Sequence, residues 1–237
     1  MIKRPTVSVT IDTPMRGILN GVPCPVDHGY AALDDTVYEA YILGETVPQL
    51  NPFIGRVMAT GTRSDGSKVL IVSNHRVIKP EIQLALKAHE SNTEWKCYYE
   101  HSCGAVLCHN DNGIYKYFVI HGHGGHIGFT KGHMELGETI DEAVHRELRE
   151  EANITKFSYV EDYRIESFGI TPKGAYKTLT YFLAMFDPAE NDIKLQEEEV
   201  VGYWLLPFEE AMQIVNTPLD RELLTKANAL LNEIPAK

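Results

Sequence analysis

Gly132-His133-Met134-Glu135-Leu136-Gly137-Glu138-Thr139-Ile140-Asp141-Glu142-Ala143-Val144-His145-Arg146-Glu147-Leu148-Arg149-Glu150-Glu151-Ala152-Asn153-Ile154 is the stretch on which the reading of this chain turns. A turn with two glycines precedes a helix that carries three acids where its buried stripe should continue. At about 100° of rotation per residue, Ile140, Ala143 and Val144 share one arc, the face that should meet a core. Glu147, Glu150 and Glu151 extend that arc by one turn. The opposite face already holds Asp141, Glu142, His145 and Arg149. A merely solvated face therefore explains the three glutamates poorly.

Carboxylates three and four residues apart on a helix are neighbours and repel. Like charges held this close normally force a proton onto one of them. A bound divalent cation removes the conflict. Carboxylate oxygens suit Mg²⁺ or Mn²⁺ rather than a soft metal, and Mg²⁺ held this way usually also binds substrate phosphates.

The segment resembles the Nudix box, the signature of the Nudix hydrolases. That pattern is Gly, five residues, Glu, seven residues, Arg-Glu, an aliphatic residue, any residue, Glu-Glu, any residue, Gly and an aliphatic residue. Gly132, Glu138, Arg146, Glu147, Leu148, Glu150, Glu151 and Ile154 stand at those spacings. Asn153 replaces the last glycine. Asn tolerates the left-handed conformation that ends a helix better than other non-glycine residues do. The resemblance covers roughly residues 100–237.

Composition frames this reading. A length of 237 residues allows one large or two small domains. The net charge of −11 argues against a nucleic-acid surface, which needs clustered Lys and Arg. Cys24, Cys97, Cys103 and Cys108 contain no Cys-x-x-Cys pair, so free thiols are expected rather than a zinc site or disulfide framework. No apolar run approaches the ~20 residues of a membrane span. Met1-Ile2-Lys3-Arg4-Pro5 has charge but no apolar stretch behind it, so no signal peptide is read and a cytoplasmic protein is expected. A nucleotide small-molecule partner is expected, without nucleic acid or membrane, with a homodimer as an open alternative.

An α+β organisation follows, with two domains over residues 1–95 and 96–237. In the first, Thr6–Ile11 alternates as a half-buried strand. Tyr30, Leu33, Val37 and Tyr41 recur at helical spacing, with Gly44 as a stop. Arg56–Thr62 and Lys68–Ser73 flank a Ser64-Asp65-Gly66 turn, and Pro80 suits the start of a helix over Glu81–Glu90. No site is read here; His28, His75 and His89 read as surface or capping residues. In the second domain, Gly104–Cys108 and Tyr115–His121 form a hairpin around the Asn112-Gly113 turn. Strands are expected at Ser158–Tyr163, Ile165–Ile170, Thr178–Phe186 and Val200–Leu205, and helices over Pro207–Val215 and Leu219–Leu231. Strands on both sides of an inserted helix suit an α/β/α sandwich around a mixed sheet, which the Nudix resemblance also implies. His121-Gly122-His123-Gly124-Gly125-His126 reads as a flexible loop rather than a zinc site.

Within the family, Lys131-Gly132-His133 followed by Glu135 and Gly137-Glu138 is similar to the asymmetric diadenosine tetraphosphate hydrolases. Lys177–Ala184 resembles the late strand of that group, where a Tyr, here Tyr181, lines the nucleotide site. Glu198, six residues before Trp204, resembles its loop Glu that approaches the metals. Ile127 and Thr130 stand where the group has Trp and Pro.

The resemblance implies a Mg²⁺ (or Mn²⁺) dependent pyrophosphohydrolase that splits a nucleoside linked to a polyphosphate, most of all diadenosine tetraphosphate, by attack of water on phosphorus. Glu147 and Glu151 would bind metal, with the Gly132 carbonyl as a further ligand. Glu150 would complete the metal shell or deprotonate the water, and Glu138 would bind a second metal or anchor the turn. Arg146 would hold a Glu in place, Glu198 would join the catalytic set, and Lys131, His133 and Tyr181 would meet substrate. An ADP-ribose or NADH pyrophosphatase, a nucleotide-sensing regulatory domain and an inert scaffold are the alternatives.

Overall fold

The computed structural model describes residues 4–45, 49–135, 137–172 and 174–233; Met1–Lys3, which open the stretch weighed as a targeting segment, lie outside the described residues. The chain divides into two compact units. Met1–Glu100 with Gly169–Lys177 form the first, and His101–Phe168 with Thr178–Lys237 the second. Residues 169–177, read from the sequence as part of the second domain, thus group with the first.

The first unit contains β1 (Thr6–Thr13), the short pair β2 (Gly17–Leu19) and β3 (Val22–Cys24), β4 (Asp27–Leu33), β5 (Thr36–Ile42), β6 (Phe53–Thr62), β7 (Lys68–Ser73), α1 (Lys79–Ala85) and β8 (Glu94–Cys97). The strand order is β1-β4-β5-β7-β6-β8, and β1 also pairs with β6, so five strands close on themselves. Closure removes the unpaired edges of an open sheet. Val7, Val9, Ala31, Ala40, Ile42, Val57, Leu70 and Val72 fill one cluster, and Tyr41, Met58, Val69, Ile71, Ile82, Leu86 and Trp95 belong to another.

The helix expected from Tyr30, Leu33, Val37 and Tyr41 is instead the β4–β5 hairpin. Asp34 and Asp35 both adopt positive φ (49° and 61°), and Leu33 pairs with Thr36 across this two-residue turn. Such a turn matches the twist of the strands it joins. Tyr30 and Val37 are exposed while Tyr41 is buried, so their helical spacing marks no common face. His28, expected at the surface, is 2% exposed.

The second unit is built on β9 (Tyr99–Asp111), β10 (Ile114–Gly122), β11 (Ile127–Gly128), β12 (Thr130–His133), α2 (Ile140–Ala152), β13 (Phe157–Ile170), β14 (Tyr176–Phe186), β15 (Val200–Pro207), α3 (Phe208–Ile214) and α4 (Pro218–Glu233). Its sheet runs β11-β10-β9-β14-β13, with β12 on β9 and β15 on β10. The two strands expected over 158–170 are one, β13, with Asp162 at positive φ inside it.

Strand alternation builds two cores. Ala105, Leu107, Phe118, Ile120, Ala184 and Phe186 meet Ala143, Val144, Leu148 and Ala152 of α2. Their neighbours Val106, Cys108, Tyr117, Val119, Tyr181 and Leu183 meet Ala211 of α3 and Leu223, Leu224, Ala227 and Leu231 of α4. The result is a helix/sheet/helix sandwich. A fully buried Leu such as Leu148 contributes roughly 2 kcal/mol through burial, so the α2 face is held firmly enough to carry the acids beside it. Among the described residues, no helix is long and apolar enough to cross a membrane, and all four cysteines are free.

Candidate active site

Both ends of α2 are fixed locally. At its start, Thr139 Oγ1 accepts from the Glu142 N–H at 3.2 Å, and the Glu142 carboxylate accepts from the Thr139 N–H at 2.8 Å. This reciprocal box satisfies two donors that a helix start leaves open. At its end Asn153 takes the left-handed conformation (φ 52°). The Asn153 N–H reaches the Arg149 carbonyl at 2.9 Å, and the Ile154 N–H reaches that of Leu148 at 3.0 Å. The Asn in place of Gly is therefore accommodated.

These ends set where the acids fall. Glu147 and Glu151 are buried, 7% and 6% exposed, whereas Glu150 is exposed. Only two of the three glutamates thus continue the buried stripe. The Glu147 carboxylate packs against Gly132, where a Cβ would overlap both of its oxygens. Gly132 lies on β12 opposite Cys103 of β9, so the sheet holds the glycine against the helix.

Arg146 is the centre of the cluster. Its Nε and Nη2 donate to the two oxygens of Glu138 at 2.6 and 3.1 Å. Its Nη1 donates to Glu147 Oε1 at 2.6 Å and to Glu150 Oε2 at 3.1 Å. Its Nη2 also donates to the His133 carbonyl at 2.8 Å. Glu138 accepts from the Glu135 N–H at 2.8 Å as well. Glu138 therefore ties the turn to the helix, and His133 takes part through its backbone while its side chain is exposed. The fork of a guanidinium suits this paired recognition.

The electrostatics separate the acids. The hydrogen bonds from Arg146 hold Glu138 below the ordinary carboxylate value. Burial raises Glu147 despite Arg146, and the charges of Glu150 and Glu199 add to the rise. Burial pushes Glu151 up to about 8, with Glu147 and Glu199 adding. Lys131 opposes this through its charge and through its backbone N–H, which donates to Glu151 Oε2 at 3.2 Å.

Buried carboxylate oxygens with their charge only partly offset match the donor set of a hard divalent cation. Among the described residues, no three acid, His or Cys groups already converge on one point; Arg146 engages Glu147 and Glu150 instead.

Three other sequence-derived residues fall differently. Tyr181 is 1% exposed and belongs to the core under α4. The substrate contact expected of it is corrected accordingly: a side chain packed on all sides has no surface to offer, although the Glu151 charge reaches its hydroxyl. In the exposed run Glu197–Glu199, Glu199 is an acid whose charge bears on both Glu147 and Glu151. Counting back from Trp204 pointed to Glu198; the signal for Glu199 is its place immediately before β15. The three loop histidines do not converge. His121 stacks on Trp204, His123 bonds the Glu197 carbonyl at 2.7 Å, and His126 bonds Asp220 at 2.8 Å. These bonds tie down a loop expected to be loose.

Comparison with known proteins gives the arrangement its family. The NUDIX domain model matches residues 101–227, more than half of the chain, and the chain belongs to the Nudix family. It is a Nudix hydrolase. It is similar to the binary complex of a C. elegans Ap4A hydrolase, with 28% identity and a TM-score of 0.52 over 57% of this chain and 99% of that one. A second C. elegans Ap4A hydrolase structure shows 27% identity and a TM-score of 0.49, over 56% and 98% of the chains. The NUDIX domain of Shewanella oneidensis NrtR, complexed with ADP ribose, shows 15% identity and a TM-score of 0.48, over 65% and 99%. No curated protein matches the chain.

Proposed function

We propose that this Nudix hydrolase is a divalent-cation-dependent pyrophosphohydrolase of a nucleoside linked to a polyphosphate, with diadenosine tetraphosphate as its substrate. The observation that carries the reading is the buried pair Glu147 and Glu151, set beside Arg146 and against Gly132. Nudix hydrolases generally use divalent cations. Glu147, Glu151 and Glu150 would hold such a cation, with the Gly132 carbonyl as a further ligand. The cation supplies charge neutralisation at the phosphate oxygens and a lowered pKa for water.

The remaining work belongs to the protein. Glu150, the exposed member of the triad, takes the proton of the attacking water. Glu199 or Glu198 brings further negative charge to the same acids. Arg146 keeps Glu147 and Glu150 oriented and, through Glu138, holds the turn. Lys131 eases charge on the phosphates. Water adds to one phosphorus as a P–O–P bond breaks, and the leaving phosphate takes the bridging oxygen. Asymmetric cleavage gives ATP and AMP.

The substrate choice is supported by the Lys131-Gly132-His133 turn and by the likeness to the C. elegans Ap4A hydrolase, nearly the whole of which this chain spans. Product analysis over a panel of nucleotides with Mg²⁺ tests it. ATP plus AMP from diadenosine tetraphosphate, abolished by chelator, is the expected result. Faster turnover of ADP-ribose, or two ADP as products, overturns the substrate assignment; undiminished hydrolysis in excess chelator overturns the cation dependence.

A further inference from the structure

The histidine- and glycine-rich loop between β10 and β11 is anchored by its own backbone and by the start of α4. The Gly122 N–H donates to the His126 carbonyl and the Gly125 N–H to the Gly122 carbonyl, both at 2.9 Å. Gly125 has φ 78°, a conformation that favours glycine. Asn216, between α3 and α4, donates through Nδ2 to the Gly125 carbonyl at 2.7 Å and accepts through Oδ1 from the Ile127 N–H at 3.0 Å. His126 Nε2 lies 2.8 Å from Asp220 Oδ2 of α4.

From this base His123 reaches the acid run Glu197-Glu198-Glu199. Its backbone N–H donates to the Glu199 carbonyl at 3.0 Å, and its Nε2 lies 2.7 Å from the Glu197 carbonyl. A carbonyl only accepts, so Nε2 carries the hydrogen and donates. One histidine thus grips the run on both sides of Glu198. The β10–β15 register slips between His121 and Gly122, which sets Gly122 opposite Val200 and brings His123 beside Glu199. The segment leading into the run is held by α2 instead. The Lys194 N–H donates to the Ala152 carbonyl at 3.1 Å and the Gln196 N–H to the Glu151 carbonyl at 3.2 Å. The Gln196 carbonyl in turn accepts from the N–H groups of Glu199 at 3.0 Å and Val200 at 2.9 Å. Residues 194–199 are therefore strung between the last turn of α2, which carries Glu151, and His123.

We propose that His123 is a positioning residue of the hydrolase, whose two hydrogen bonds to the backbone of the acid run hold Glu199 toward Glu147 and Glu151. The inference rests on the reading of those buried acids as the reactive site. The charge of Glu199 bears on both of them. Three consecutive carboxylates beside two more acids repel one another and are drawn toward water. Glu199 keeps its place only where the backbone beneath it is held, and the loop supplies that hold from one side as α2 does from the other. His123 acts through main-chain carbonyls, so its effect on the reaction passes through Glu199.

The test compares full-length His123→Ala, His123→Gln, Glu199→Gln and the double variant His123→Ala/Glu199→Gln. Steady-state kinetics on diadenosine tetraphosphate with Mg²⁺ are set beside amide hydrogen exchange of the metal-free proteins. His123→Ala should lower kcat about tenfold with KM nearly unchanged, as misplacement of a reacting group does. Gln keeps an N–H donor for the Glu197 carbonyl, so His123→Gln should recover most of the loss. With Glu199 already replaced, His123→Ala should cost nothing further, because the two act as one unit. Exchange at the Glu199 and Val200 amides should quicken in His123→Ala and return toward the wild-type rate in His123→Gln. A wild-type kcat in His123→Ala, costs that multiply in the double variant, or unchanged exchange at both amides overturns the proposal. If the wild-type protein hydrolyses no nucleotide in Mg²⁺, the hydrolase reading has failed, and the exchange rates alone then decide whether His123 holds the run. If His123→Ala fails to fold, the imidazole ¹⁵N spectrum of the unmodified protein decides instead: hydrogen on Nε2 of His123 is expected, and a neutral ring with its hydrogen on Nδ1 overturns the clamp.

Discussion

The carboxylate of Glu147 occupies the space that a side chain on Gly132 would need. The glycine of the turn and the glutamate of the helix are thus one feature: the backbone of β12 comes close enough to α2 for the acid to rest on it. Close approach is one of the few positions where only glycine serves.

Gly132→Ala is therefore expected to push Glu147 aside. A displacement of about 1 Å at a catalytic group lowers rate on the order of 10²-fold, and overpacking costs roughly 1–3 kcal/mol. Metal-dependent hydrolysis and denaturant unfolding of the same variant measure the two effects. Wild-type turnover would remove Glu147 from the proposed mechanism.

Glu150→Gln and Glu151→Gln keep shape and remove charge. Each should lower turnover by about 10²–10³-fold if these acids act as proposed. Circular dichroism should show the fold intact, and near-full activity of both variants would overturn the assignment.

The raised pKa values of the buried acids predict how the metal-free protein responds to pH. Glu151 keeps its proton in the folded state up to about 8, while its ordinary value is 4.5, and Glu147 is raised in the same direction. Between these values the folded state binds more protons than the unfolded one, so stability falls as pH rises from about 5 to about 8. Glu138, held low by Arg146, acts oppositely and only in acid, where its stabilising contribution is lost as pH falls below its ordinary value. Thermal melts in chelator should show the decline, and Glu151→Gln should flatten it. A melting temperature that climbs steadily from pH 5 to 8 would contradict the burial of these acids.

Arg146→Ala should be the most damaging change in the cluster. It leaves Glu138 and Glu147 without their cation, and breaking such a partly buried network costs about 3 kcal/mol. Arg146→Lys should recover only part of this, because an ammonium cannot span Glu138, Glu147 and the His133 carbonyl as the fork does. Urea midpoints of the two variants rank them. Equal midpoints for Lys and Arg at this position would show the fork geometry to be dispensable.

Asn153→Ala should destabilise by roughly 1–2 kcal/mol, since Ala enters the left-handed conformation at that cost. It also forfeits the side-chain bond to the Asp192 carbonyl at 2.7 Å. Unfolding by denaturant measures the loss, and an unchanged midpoint would mean that the helix end relaxes freely.

What the sequence determined by itself is what short-range geometry controls. The period of α2, its left-handed stop at Asn153, and the turns at Ser64-Asp65-Gly66 and Asn112-Gly113 depend on residues within a few positions of one another. So does the clustering of Glu147, Glu150 and Glu151 on neighbouring turns. The tertiary structure decided the rest. Asp34-Asp35 made a hairpin out of a helical spacing because strand partners lay on either side to be paired. Tyr181 went into the core because α4 covers that face of β14. Glu199 bears on Glu147 and Glu151 of α2 from about fifty positions away along the chain. His28 is buried beside Asp12, with its Nδ1 2.7 Å from Asp12 Oδ1. Each of these depends on which distant segment covers a residue, and burial, unlike helical period, is a property of the neighbours that folding brings rather than of the neighbours in sequence.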